Sequence, residues 1–364
     1  MENKRTNYAK GIFYILLFFA AAFSLAALRL TYSFSMPLAI ALMLSFVFYP
    51  FVKKLTAFHI PWSIGIVIVV ILAAAIFFII GNLLVASCRT VLNAYPKYEA
   101  RFTSLYTMIA SALHLPFDEN SSLIVNLWNS LGVRSFIQDF AFAASNYMLS
   151  SLKVILVISL LIIFFLIEIR GMKDKLRTAF PQERTNRKIM FIITKTIAEV
   201  TRYISIKFLI SFLTGMCVFL LTLAVGLDFA VIWGFLAFIL NFIPNFGSIV
   251  SWAVTTGFAV LQFYPSAAKI IYIAAAILAV NFILGNIIEP RWAGADLGIS
   301  PFIILVSLSL WGWLWGFIGM ILSVPMIVVI KILCENIGML NPLAALLGNK
   351  RAYKNRKMRT FFKK

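Results

Sequence analysis

Charge is what this chain has least of. Only 12% of its 364 residues are Asp, Glu, Lys or Arg, while 62% are apolar; soluble domains carry about 25% charged residues. Such a chain cannot cover a water-facing surface, so its main solvent is not water. Acidic residues are the scarcer sign, 13 against 32 basic, for a net charge of +19. On a soluble protein that excess would suggest nucleic acid. Here the basic residues cluster between uncharged runs, as cationic loops do when they stay cytoplasmic during membrane insertion, and nucleic acid is not an expected partner. Cysteine is also rare: Cys88, Cys217 and Cys334 lie far apart with no C-x-x-C pair and two histidines to assist them, which argues against a disulfide framework or a zinc site. There is no H-E-x-x-H, G-x-S-x-G or G-x-x-x-x-G-K sequence. Common hydrolase chemistry and ATP-driven transport lose their usual signatures, so neither an enzyme nor a cofactor is expected.

What the chain has instead is long apolar runs, each sufficient to cross a hydrocarbon core about 30 Å thick. Three open the sequence: Gly11–Leu28, Leu30–Val52 and Ile60–Cys88. Lone Arg29 marks an outer turn and Lys53/Lys54 an inner one, placing the N-terminus inside. From Arg89 to about Tyr147 the basic and acidic residues balance, which suits an outer region; Tyr98, Phe102, Leu105, Ile109 and Leu113 predict an amphipathic helix ending near Pro116. Asn120, Ser121 and Ser122 predict a turn and cap before a second helix. A fourth span covers about Ser150–Ile169, with Glu168 at its cytoplasmic boundary. Ten basic residues then lie between Arg170 and Lys207, and Ile189, Ile193, Ile197, Val200 and Ile204 form a stripe that predicts a helix lying on the inner surface.

The C-terminal half is less regular. After a fifth span, about Phe208–Gly226, the segment Phe229–Ala268 has no charge and is interrupted by Asn241, Pro244, Asn245 and Gly247. Proline removes a backbone donor and asparagine brings polar groups where water is absent, so these residues break a helix or line a cavity. The next run, Ile270–Ile288, ends in Asn286-Ile-Ile-Glu289-Pro290-Arg291, and a last one covers Pro301–Ile330. The tail from Lys350 has eight basic residues and no acidic one, so it belongs inside. Inside start and inside end require an even number of crossings. Eight fits if Phe229–Ala268 is one broken crossing. The fold class is therefore all-α: a polytopic transmembrane helical protein of about eight spans, with interrupted helices in the C-terminal half and an extracytoplasmic helical insertion. Its expected divisions are 1–88, 89–148, 149–170, 171–207, 208–335 and 336–364. Within the C-terminal half, Ile232–Leu240 and Leu314–Leu322 share five identities in nine positions, which predicts either a repeat of two interrupted helices or accidental likeness between apolar segments. Gly312 and Gly316 have the G-x-x-x-G spacing of close helix packing.

The segments Asn241–Gly247, Ile287–Arg291 and Gly316–Pro325 resemble the signature stretches of the autoinducer-2 exporter family, and the resemblance extends over nearly the whole chain. Within that family the sequence is most similar to the sporulation-associated integral membrane proteins of bacteria. The resemblance implies a multi-pass protein of the bacterial cytoplasmic membrane, forming a homo-oligomer, that exports or exchanges a small solute or cation. Na+, H+ or a small organic molecule would be the solute, and membrane lipid the other partner. The family often has Ile-Pro-Tyr-Ile-Gly where this chain has Ile243-Pro244-Asn245-Phe246-Gly247, an amide in place of a phenol. A protein organising an assembly during sporulation is the alternative function.

Glu289 and Arg291, flanking Pro290, are the first candidates for a solute pathway. A charge near the bilayer centre costs about 3 kcal/mol, so such residues usually have a task. Glu289 would accept a proton or cation, with Arg291 as its partner or as an anion contact; otherwise both fix a helix end at the interface. The amides of Asn241, Asn245, Asn281 and Asn286 could bind a solute or coordinate a cation, or cap broken helices. Pro244 and Gly247 shape the break, and Asp296 either coordinates or occupies a turn.

Overall fold

The computed structural model of the chain describes residues 2–112, 133–244, 246–293 and 298–348. The all-helical polytopic fold is what the apolar runs dictate: among the described residues seven helices are long and apolar enough to cross a membrane, and Ile15–Leu30 and Ala230–Leu240 are shorter apolar helices. In chain order the helices are α1 (Glu2–Leu30), α2 (Tyr32–Ala57), α3 (Trp62–Ala112), α4 (Val133–Ala179), α5 (Glu183–Val225), α6 (Ala230–Leu240), α7 (Phe246–Phe263) and α8 (Ala267–Phe282). A π-helical turn, Ile283–Ile288, leads into α9 (Glu289–Ala293). Then come α10 (Pro301–Asn336) and α11 (Asn341–Leu347).

Several helices run past the boundaries expected from charge. The third span and the amphipathic helix after it are one 51-residue helix, α3, with Pro96 inside it. Likewise the basic stripe and the fifth span are a single 43-residue helix, α5, with no turn between a surface portion and a crossing portion. Apolar periodicity identified both halves of each helix, but a change in charge is not a backbone break. Asn120–Ser122 lie outside the described residues.

The segment Phe229–Ala268 corrects the expected single broken crossing. The chain turns back after α6: Gly247 is so close to α6 that a Cβ there would lie 1.6 Å from the Leu240 carbonyl oxygen. Trp233 and Phe229 at the start of α6 meet Phe258 late in α7, with ring centroids 4.9 and 5.6 Å apart. Contacts paired about residues 243–246 define an antiparallel helical hairpin. Its first arm, 11 residues or about 16 Å, is too short to cross.

The last apolar run folds back as well. Trp315 and Gly316 leave helical geometry, and Gly316 has φ 63, a left-handed conformation that glycine adopts without steric cost. Ser307 Oγ donates to Ser323 O at 2.8 Å, and a Cβ on Gly319 would lie 1.8 Å from Trp311 O. In a straight helix residues 307 and 323 would be about 24 Å apart. So α10 is a second hairpin, its arms meeting along Ser307, Trp311, Gly319 and Ser323.

The chain divides into two compact units. One comprises Met1–Tyr49, Val157–Thr201 and Gly298–Lys364 and contains the α10 hairpin. The other comprises Pro50–Leu156 and Arg202–Leu297. It contains the α6–α7 hairpin and a core of Val218, Leu227, Trp233, Ala237, Ala259, Ile273 and Ile277. In this second unit α5 and α6 cross at a pair of glycines: a Cβ on Gly215 would be 2.7 Å from Gly234 O, and one on Gly234 2.6 Å from the Phe219 Cβ. Small residues at the crossing let the backbones approach, which is how helices associate where burial of apolar surface gives little driving force.

The shared Ile232–Leu240 and Leu314–Leu322 pattern is not a structural repeat. Trp233-Gly234 lies inside an arm, at the glycine crossing, whereas Trp315-Gly316 is the bend itself. For the same reason Gly316 serves to turn the chain and not to complete a G-x-x-x-G packing face with Gly312, whose nearest neighbour is Met320 across the hairpin.

Candidate functional site

The site lies in the second unit and is organised by one face of α5. Tyr203, Lys207, Ser211 and Gly215 recur at every fourth residue, so they follow one another up the helix. Lys207 Nζ bonds both carboxylate oxygens of Glu289, at 2.9 and 3.0 Å. The lysine side chain is 8% exposed and the glutamate 25%. An ammonium so far out of water is tolerated only with its counter-ion in place, because desolvation costs several kcal/mol per ion. Tyr203, one turn before Lys207, is within electrostatic reach of the same carboxylate.

Pro290 explains the backbone that delivers Glu289. Within a helix its ring would clash with the carbonyl of residue 286, and it has no N–H to donate. The turn before it widens into the π segment, where the Glu289 amide reaches back to Leu284 O. Such π turns are rare and recur at functional sites.

One turn along α5 from Lys207, the tip of the α6–α7 hairpin is fastened. Asn241 Nδ2 donates to Ser211 Oγ at 3.0 Å, both side chains buried. Asn241 also closes α6 with its own N–H on Ala237 O. On the other side of the hairpin Asn281 Nδ2 donates to Ser248 O at 3.3 Å. Ser211, Ser248 and Asn281 each lie about 21–23 Å of helix from the opposite end of their element, so the polar tip sits at one level. Beside it an open groove of about 610 Å³ runs between α7 and α8, lined by Ser248, Trp252, Leu278, Asn281, Phe282 and Asn286 among others. The groove is apolar with a few amide and hydroxyl groups at one end, the usual make-up of a small-solute site.

The open end of the hairpin is clamped to α3. Lys97 Nζ pairs with Asp228 Oδ2 at 2.8 Å, and Tyr98 OH donates to the same oxygen. Gln262 accepts from the Asp228 amide at 2.8 Å and donates to Gly226 O at 2.9 Å. Arg101 Nη1 donates to Gln262 O. Phe229 adopts a left-handed φ of 64, a conformation that costs a non-glycine residue about 1 kcal/mol or more; its ring packs on Tyr98 and Phe258. Burial pushes the Asp228 carboxyl up, but the hydrogen bonds from Lys97 and Tyr98 and the lysine charge outweigh it, leaving the group below its ordinary value. Burial and the neighbouring carboxylate raise the Tyr98 phenol.

Of the residues singled out by sequence, Asn241, Pro244 and Gly247 form the hairpin tip. Asn281 and Asn286 line the groove, and Glu289 and Pro290 close the π segment. Arg291 is not the partner of Glu289: it is exposed, and among the described residues it has no ion pair, because Lys207 already occupies the carboxylate. Asn245 and Asp296 lie outside the described residues. Sequence reasoning missed Lys207, Tyr203 and Ser211. A signal existed, since Lys207 stands alone between Ile204–Ile206 and Phe208–Ile210, beyond the amphipathic stripe that the other basic residues flank.

Comparison with known proteins places the chain. Residues 13–339 match the model of the AI-2E family transporters. A provisionally named transport protein of Borreliella burgdorferi is 30% identical over 349 residues, covering 95% of this chain and 92% of its own length. The transport protein YhhT of Escherichia coli K12, also provisionally named, is 32% identical over 79% of this chain and 80% of its own. The AI-2 transport protein TqsA of the same bacterium is 27% identical over 89% and 92%. With 327 of its residues inside the family match, this chain belongs to the AI-2E family of membrane transporters.

Proposed function

We propose that the protein is a gradient-driven exporter or exchanger of a small solute or cation, with the Lys207–Glu289 pair as its coupling site. The observation that carries the reading is the pair itself. An ammonium and a carboxylate are withdrawn from water where α5 meets the π-interrupted helix, and a scaffold has no need to bear that desolvation cost. Interrupted helices of this kind bind solute and coupling ion near the midplane in secondary transporters. Glu289 is the group that binds and releases the coupling ion, Asn281 and Asn286 in the groove contact what passes, and Asn241 holds the hairpin tip beside them. The basic segments put both termini in the cytoplasm.

The test is flux in sealed proteoliposomes holding the purified protein, following internal pH while sodium, potassium or lithium is added outside. Protein-dependent, cation-specific proton movement supports exchange. Its absence with all three cations, in vesicles shown to be tight, removes cation exchange. A second reading, export of an uncharged organic solute such as the AI-2 in the name of the Escherichia coli relative, draws on the groove, whose polar lining is amide and hydroxyl without a charge. Uptake of labelled solute into inverted vesicles tests it.

A further inference from the structure

The bend of α10 leaves the last carbonyls of its first arm without helical amide partners. In a straight helix Trp313 O and Leu314 O would accept from the amides four residues on, but Trp315 and Gly316 have left helical geometry. Both carbonyls are instead bonded by one side chain from α1. Arg29 Nη1 donates to Trp313 O at 2.8 Å and to Leu314 O at 2.9 Å, and the guanidinium lies 5.4 Å from the centre of the Trp313 ring. The same corner holds the bend a second time: Trp315 Nε1 donates to Ser35 Oγ at 3.2 Å, and that hydroxyl donates to Leu28 O at 3.0 Å. Arg29 is the one charged residue between Lys10 and Lys53, and among the described residues no carboxylate pairs with it.

Carbonyls at the broken end of a helix, with the negative end of its dipole behind them, are a cation site. Here the cation is covalently attached. We propose that Arg29 is a tethered cation, a positioning residue that fills the carbonyl end of the first α10 arm and fixes the hairpin bend against the α1–α2 corner. A diffusible cation is thereby kept from this hairpin. The inference rests on the chain being a transporter but not on ion coupling at Glu289. It also differs from a plain interfacial arginine, which would leave the bend unchanged when removed.

The experiment uses the full chain in proteoliposomes, with Cys88, Cys217 and Cys334 replaced by serine and Leu314→Cys, a fully buried position, as reporter. Loss of two charge-assisted hydrogen bonds predicts that Arg29→Ala speeds modification of this thiol by a water-soluble methanethiosulfonate at least about tenfold. Millimolar guanidinium should restore protection in Arg29→Ala, sodium or potassium at equal ionic strength should not, and Arg29→Lys should be intermediate. If Arg29→Ala does not accumulate as folded protein, the same guanidinium-against-sodium comparison is made on Arg29→Lys. Unchanged reactivity on removing Arg29, or protection by sodium equal to that by guanidinium, overturns the proposal. The readout is thiol chemistry and not flux, so its failure is distinct from a failure of cation exchange.

Discussion

A pair of cysteines at Ser307 and Ser323 would show directly whether α10 folds back. If the 36 residues of Pro301–Asn336 formed one straight helix, these positions would be about 24 Å apart along the axis, since each residue adds about 1.5 Å. In the hairpin the Ser307 hydroxyl bonds the Ser323 carbonyl at 2.8 Å, so the two backbones are in contact, at or inside the usual 8–10 Å between packed helix axes. A disulfide needs Cα atoms no more than about 7 Å apart. The perturbation is small: losing the Ser307 hydrogen bond costs about 1 kcal/mol, and cysteine is close to serine in size. In a chain stripped of its native cysteines, mild oxidation should form the intramolecular disulfide in high yield, and nitroxide labels at the same sites should show strong dipolar broadening. Sharp spectra together with no disulfide, in protein whose two thiols both react once denatured, would refute the hairpin. The glycine-bend reasoning would fall with it.

Three further outcomes follow from the second unit. Glu289→Gln should lower unfolding stability in detergent by about 3 kcal/mol, the low end of the range for stranding one partner of a buried pair because Glu289 is a quarter exposed. The double replacement Lys207→Met, Glu289→Met should recover most of it, and additive losses would deny the pairing. Gly247→Ala places a methyl against the Leu240 carbonyl, a backbone atom that cannot yield, and should cost about 3 kcal/mol or abolish accumulation. Gly81→Ala, with nothing within 4 Å, should be neutral or stabilising by up to about 1 kcal/mol. The clamp at Asp228 should be pH-dependent in a stated direction. A depressed carboxyl contributes stability above its unfolded value of 3.8 and loses it as pH falls through the lower folded value. Tyr98, raised, stays a protonated donor through the ordinary tyrosine range and loses its contribution only as pH rises above it. Amide exchange at residues 226–230 should therefore quicken below pH 3.8 in the wild type, and show no such step in Asp228→Asn.

The helical membrane fold was legible because uncharged runs of this length have one stable solution in lipid, a helix that satisfies its own backbone. The break at Asn241–Gly247 was legible for a local reason: proline and asparagine cannot continue an apolar helix without consequence. What the break does was not. A broken crossing and a hairpin share the same local sequence, and only the contact of Phe229 and Trp233 with Phe258 separates them. The α10 bend had no proline or asparagine to announce it; a glycine between a tryptophan and a phenylalanine carries it, and the same Trp-Gly-Phe triplet lies unbent in α6. In the site, Glu289 was found because a carboxylate at the end of an apolar run is costly. Its partner was missed because Lys207 is 82 residues away and closes a basic segment whose other members have an ordinary topological explanation. Arg291 was nearer in sequence, but two residues along a helix point to different sides.

The central claim is that ion coupling occurs at Glu289 while Lys207 holds it. Its most direct test is proton flux driven by an imposed cation gradient in proteoliposomes, comparing wild type, Glu289→Asp and Glu289→Gln at equal, verified amounts of folded protein. Coupling at Glu289 predicts robust flux for the wild type, reduced flux for the shortened carboxylate and none for the amide. Equal flux from wild type and Glu289→Gln would contradict it.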